Sequence, residues 1–485
     1  MMPADKSNCL TDVAADNIIV DHSINQSTPT TNDVFPLKMS RGRIMKNLIL
    51  LCFCYFLFFT GFWALTNLES TMNAEKGLGP ESQAVIYGFS MISSLLLPDV
   101  LIGRLGSKRT YILAMLLSGP YIASNLSLRW DTMMIGAALF GLASGPLSTA
   151  ASVYIDEMAI RYKDITKYKQ ETITACFFGI YLFFGENTQV WGNVISYFAL
   201  SLGKHVPPPN NFSLETHCGI NFASKKDNIT NTNLEPPPDR DRHILIGTFL
   251  AMGVVALILT GFFVDPLNND VRRENDCQAV KSRLIAAVKL LKNPNLLLLI
   301  PCSAFCGLQS SFYSNDFTKA YIACSWGIHH VGFVTICFGV CGAIMAVLVG
   351  PLVRCISQMS VLILAACINV TTCGLLYVWE PTPDNVTTYF VFAGVWGMAD
   401  AIWWSQITAL YGLMFPNDRE AAFSNFFFWS FLGFFLCYSY ANYFSVALKL
   451  GILLFFLVTG IICYLIGQIK IKRSPRREYI VIEDE

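Results

Sequence analysis

The chain has 485 residues, 53% of them apolar and 14% Asp, Glu, Lys or Arg, against about 25% charged in ordinary soluble domains. At about 20 apolar residues per membrane-crossing helix, this stock supplies on the order of a dozen spans and excludes a soluble enzyme, a disordered chain and a disulfide-rich secreted module. A net charge of +0, from 34 basic and 34 acidic residues, argues against nucleic acid as a partner.

Residues 1–43 are rich in Asn, Asp, Ser and Thr and read as a disordered cytoplasmic tail. No apolar stretch follows the start, so no cleavable signal peptide is expected. Apolar runs then follow at 44–65, 82–102, 110–128, 132–155, 172–202 and 244–264. A basic cytoplasmic linker covers 265–293, in which Val280–Leu291 reads as an amphipathic or a simply solvated connector. Six more runs lie at 294–314, 331–353, 360–379, 388–414, 422–444 and 447–469, and 471–485 is a second cytoplasmic tail. Backbone groups in hydrocarbon must be satisfied within their own segment, so each run is expected to be a helix. The fold class is therefore all-α: twelve spans in two six-helix halves, 44–264 and 294–470.

Most Lys and Arg fall on one side when the N-terminus is placed inside, which puts both termini in the cytoplasm. The outer loop 203–242 carries the sequons at Asn211 and Asn228, and a third, at Asn385, lies in another outer loop. All three are expected to be glycosylated.

Twelve helices in two halves suggest the major facilitator architecture. The loop signature of that superfamily is degenerate here: Gly103-Arg104-Leu-Gly106-Ser-Lys108-Arg109, with glycine at the acid position and Asp99 the nearest acid. More specific are Asn67-Leu-Glu69-Ser-Thr-Met-Asn73, Val190-Trp-Gly-Asn193, Asn315-Asp-Phe-Thr-Lys319, Gly394-Val-Trp-Gly-Met-Ala-Asp400 and Ala421-Ala-Phe-Ser-Asn425. These stretches resemble the uncoordinated-93 family, over roughly residues 44–470. The resemblance implies one of three roles: regulation of a two-pore potassium channel, escort of nucleic-acid-sensing Toll-like receptors to endolysosomes, or orphan transporter-like activity. It implies no cofactor.

Ionisable residues at membrane depth are functional candidates by default. Glu186, Gln189 and Asn193 share one face of the fifth run, where Glu186 either couples proton movement or is a structural hydrogen-bonding residue. Asn187 and Gln406 complete the candidate cavity set. Asp400 lies among Trp396, Trp403 and Trp404, and either meets a cation or basic group or holds helices together by a packing hydrogen bond. Asp316 and Lys319, three apart, make either a local ion pair or an outer gate, the former being of little energetic consequence if exposed. Asn67 and Glu69 belong to a cavity mouth or are simply interfacial, with the interfacial placement favoured.

Most of the 16 cysteines fall within apolar runs. Cys302/Cys306 and Cys337/Cys341 have a metal-compatible spacing without an accompanying His or acid, and read as packing residues. Cys218 and Cys324 are candidates for an outer disulfide, their connectivity open. Tyr479-Ile-Val-Ile482 fits a Tyr-x-x-apolar sorting peptide. No enzyme constellation is present. The leading expectation is a non-catalytic accessory subunit of another integral membrane protein, such as a channel or receptor. The alternative is a secondary transporter of a small solute or ion by alternating access. Either reading implies the lipid bilayer as a partner, and the plasma membrane is preferred to the endolysosome.

Overall fold

The computed structural model describes residues 39–72, 78–127, 129–166, 170–201, 218–222, 238–267, 289–415 and 419–473. The helices are α1 (Arg41–Met72), α2 (Leu78–Leu96), α3 (Pro98–Leu105), α4 (Ser107–Ser124), α5 (Trp130–Lys163), α6 (Gln170–Ser201) and α7 (Asp239–Phe263). They continue with α8 (Pro294–Ser311), a π-helical segment (Phe312–Ala323), α9 (Cys324–Trp326), α10 (Ile328–Ile356) and α11 (Gln358–Val378). The last are α12 (Val386–Met414), α13 (Arg419–Tyr440) and α14 (Val446–Arg473). No strand occurs among the described residues.

Each apolar run overlaps a helix, and among the described residues eight helices are long and apolar enough to cross a membrane by length and composition. Large side chains point outward where soluble proteins would hide them: Phe262 is 82% exposed and Phe455 65%. This is a polytopic membrane protein.

Two boundaries differ from expectation for local chemical reasons. The second run does not form one helix to residue 102. It stops at Leu96 and restarts as α3 with Pro98 in its first turn, because proline has no N–H to donate and its ring crowds the preceding turn. The seventh run extends well past residue 314, through the π segment to Trp326. Widened turns of this kind are rare and cluster at functional places. Of the linker 265–293, residues 268–288 lie outside the described residues, as does most of the Val280–Leu291 stretch.

Helices meet closely where glycine removes a side chain. A Cβ at Gly307 would collide with the Ser430 carbonyl, and one at Gly433 with the Ala304 carbonyl, so α8 and α13 touch backbone to backbone. Gly397 on α12 meets Phe338 of α10 in the same way. Contacts between earlier and later helices run chiefly along three seams, α1 against the π segment, α2 against α13, and α6 against α10, with α1 also touching α10. On the second, Tyr87 stacks on Phe434 with centroids 4.3 Å apart. These seams position the polar residues described next.

Candidate functional site

The first polar group lies on α1 and α6. Asn67 is fully buried, not interfacial as expected, and its amide donates to Gln189 Oε1 at 2.8 Å and to Asn193 Oδ1 at 3.5 Å. Asn193 in turn donates to the Gln189 carbonyl at 2.6 Å. Helical spacing puts Glu186 on this same face, and a Cβ at Gly342 would sit 2.9 Å from Glu186 Oε2 and 3.4 Å from the Gly397 carbonyl. The carboxylate is thus held at the meeting of α6, α10 and α12. Among the described residues it has no hydrogen bond or ion pair. Asn187, one residue on, does not join it. Its amide donates to the Phe183 carbonyl at 2.8 Å, and it lines a lateral groove of about 360 Å³ with Phe183, Val190, Val340, Ala343 and Val347. Adjacent residues on a helix are about 100° apart, which separates the two faces.

Asp400 accepts from Ser310 Oγ at 2.6 Å and from Gln309 Nε2 at 3.2 Å. The chain of bonds continues in both directions. Asn369 donates to Gln309 Oε1 at 3.2 Å, Trp403 Nε1 donates to Asn369 Oδ1 at 2.9 Å, and Trp404 Nε1 donates to Ser310 Oγ at 3.1 Å. One acid therefore ties α8, α11 and α12 together, using the Trp403 and Trp404 indoles but not that of Trp396. Gln406 stands apart from this network: Gln358 donates to its backbone carbonyl at 3.3 Å.

Asp316 does not pair with Lys319. Its Oδ1 lies 2.5 Å from Lys449 Nζ on α14, and both side chains are buried, at 6% and 3% exposed. Lys449 also donates to the Ala441 carbonyl at 2.7 Å. Lys319 is buried as well, with its ammonium 5.8 Å from the centre of the Phe222 ring. Cys218 and Cys324 are bridged by a disulfide with Cα atoms 5.7 Å apart. The bridge holds the turn Gly219–Asn221, and hence Phe222, against the π segment. Glu69 lies on α1, its side chain outside the described set, and so does that of Asp99 on α3.

In the loop 103–109, Gly106 adopts φ 78° between α3 and α4, a value that suits glycine. Arg104 and Arg109 are exposed, and nothing crowds Gly103. Lys108 donates to the Gly261 carbonyl at 2.8 Å, at the C-terminal end of α7, where a cation is favoured by the helix dipole. An acid with several partners in this region is Asp265. It accepts from Arg43 at 2.7 Å, Asn47 at 3.0 Å and Lys46 at 3.3 Å, while its own carbonyl accepts from Tyr154 at 2.7 Å. These bonds, chiefly that from Arg43, hold its carboxyl well below the usual carboxylate range.

Two functional-looking residues were missed in the sequence. Lys449 had a signal, a lone lysine inside the last apolar run. Asp265 had none, because its partners come from α1 and α5. Asn211, Asn228, Tyr479 and Ile482 lie outside the described residues. Asn385 is exposed at the start of α12. Among the described residues no group of three metal-ligating side chains occurs.

A family model described as "Ion channel regulatory protein UNC-93" matches residues 70–465. The chain belongs to the UNC-93 family. Similar relatives include Protein unc-93 homolog A of Xenopus laevis, 34% identical over 87% of this chain and 92% of its own length. The putative potassium channel regulatory protein unc-93 of Caenorhabditis elegans is 30% identical over 88% of this chain and 61% of its own. Among solved structures, a nucleoside transporter NupG mutant aligns with TM-score 0.60 at 14% identity, covering 88% of this chain and 99% of that one. The E. coli fucose:proton symporter FucP gives 0.56 at 14%, covering 88% and 99%. At such identity these establish the fold alone, that of major facilitator transporters.

Proposed function

We propose that this chain is a non-catalytic accessory subunit of another membrane protein, an ion channel before any other. The observation that carries it is the fate of two of the three acids at bundle depth. Asp400 is consumed in a packing network and Asp316 in a buried ion pair, so neither is offered to a passing solute. The printed names of the family and of the nematode relative support the channel as partner. On this reading the chain crosses the membrane twelve times in two halves, 44–264 and 294–470. Both termini are cytoplasmic, the outer loops bear glycans at Asn211, Asn228 and Asn385, and the home is the plasma membrane. Purification from native membranes in mild detergent tests it. A channel recovered in fixed stoichiometry is the expected result, and a chain that purifies alone overturns it.

A second reading is favoured by one observation. Glu186 lies on the α6–α10 seam with its carboxylate unpaired among the described residues. It is placed as a proton-coupling acid for secondary transport would be. Glu186→Gln would then abolish pH-dependent uptake at unchanged surface expression. Uptake unaffected by the substitution removes the transport reading.

A further inference from the structure

Among the described buried groups at the outer end of the second half, basic side chains outnumber acidic ones. Two lysines, Lys319 and Lys449, share one acid, Asp316, and the geometry assigns that acid to Lys449. Lys319 is 9% exposed, and among the described residues its ammonium has no acceptor, only the ring face of Phe222. A ring face attracts the cation but takes up no N–H in a conventional hydrogen bond. Burying a charged donor without a partner is costly, and an opposite charge placed beside it offsets that cost, as loss of the proton also would. One π turn back, the Asn315 side-chain oxygen is also buried and unpartnered. The lid over this spot is fixed covalently. The Cys218–Cys324 bridge anchors the chain four residues before Phe222, and Gly219, at φ +71°, packs against Pro381 and Tyr321.

We propose that Lys319 is the cation of a small-anion site, a halide or a carboxylate, beneath Phe222 at the outer end of the π segment. The bound anion completes the charge balance of Asp316, Lys319 and Lys449. It also makes the seating of the disulfide-pinned loop sensitive to the anion outside. The site joins the second half to the outer turn of the first through the Cys218–Cys324 bridge, and it does not depend on the accessory or the transport reading.

The test is thermal unfolding of the purified full chain, with chloride or acetate replacing gluconate at constant ionic strength and pH. The wild type and Lys319→Arg should show a saturable rise in Tm of a few degrees, as binding to the folded state alone requires. Lys319→Gln should show none. A response to chloride alone assigns the site to halides, and a response to acetate alone assigns it to carboxylates. Identical wild-type curves in all three salts overturn the proposal, and so does a Lys319→Gln protein that keeps the anion response. Should Lys319→Gln not fold, broadening of the chloride NMR line by wild type, reversed by excess bromide, decides the matter. An unbroadened line together with a wild-type Tm that does not rise in acetate overturns the site.

Discussion

Asp316 and Lys449 are 133 residues apart in sequence and 2.5 Å apart in space. The pair joins the π segment to α14 in surroundings that exclude water, and Cys437 Sγ approaches the second carboxylate oxygen at 3.8 Å. Whether such a pair stabilises the fold depends on what replaces it. Its Coulomb attraction is offset by the cost of drying two ions, yet leaving either ion alone is severe.

That asymmetry sets the first expectation. Lys449→Met or Asp316→Leu alone should cost roughly 3–5 kcal/mol, while the double variant recovers most of the loss. Detergent-state Tm and the monodisperse fraction on size exclusion report it. Losses that simply add in the double variant would mean that the two side chains are not coupled.

The Asp400 network makes a different demand, because its members need acceptors more than they need charge. Asp400→Asn keeps an oxygen toward Ser310 and Gln309 and should change stability little. Asn369→Leu strands the Trp403 indole and one Gln309 bond, at about 1–3 kcal/mol. A thermal series on Asp400→Asn, Asp400→Val and Asn369→Leu separates these outcomes. An Asp400→Asn loss as large as that of Asp400→Val would show that the negative charge itself is needed.

Asp265 should make the junction of α1 and α7 sensitive to acid. Its carboxyl is held well below the ordinary value, first by the Arg43 hydrogen bond and then by Asn47 and Lys46. A depressed native value stabilises above the unfolded carboxylate value of about 3.9, and the contribution is lost as pH falls through the native one. Asp265→Asn should therefore lower Tm near neutral pH, with wild type and variant converging in strong acid. A gap between them that stays constant from neutral to acid pH would contradict this origin.

Close helix contacts give the last expectation. Gly397→Ala forces α12 away from the Phe338 carbonyl and should cost roughly 1–3 kcal/mol through overpacking. Gly374→Ala faces open space and should be neutral or stabilising by up to about 1 kcal/mol through helix propensity. Equal effects of the two on Tm would show that the α10–α12 contact is looser than drawn.

The sequence alone determined the helices and the family. An apolar run in hydrocarbon has one way to satisfy its backbone, so 44–65 had to become part of α1 and 447–469 part of α14. The family motifs spread from Asn67 to Asn425 and are read locally, residue by residue. Helical periodicity likewise put Glu186, Gln189 and Asn193 on one face. What periodicity cannot supply is the identity of the facing helix. Nothing near Asp316 in the chain names Lys449, and Lys319, three residues away, was the only partner a local rule could suggest. Asn67 looked interfacial because its place near the end of a run says nothing of α6 packed against it. The chain Trp403–Asn369–Gln309–Asp400–Ser310–Trp404 and the grip of Arg43 on Asp265 join residues whose distance in sequence gives no hint of contact. Local structure follows from bonds a segment makes with itself. The pairing of buried charges is decided only when the helices pack, because only then does each charge lose water and have to find another partner.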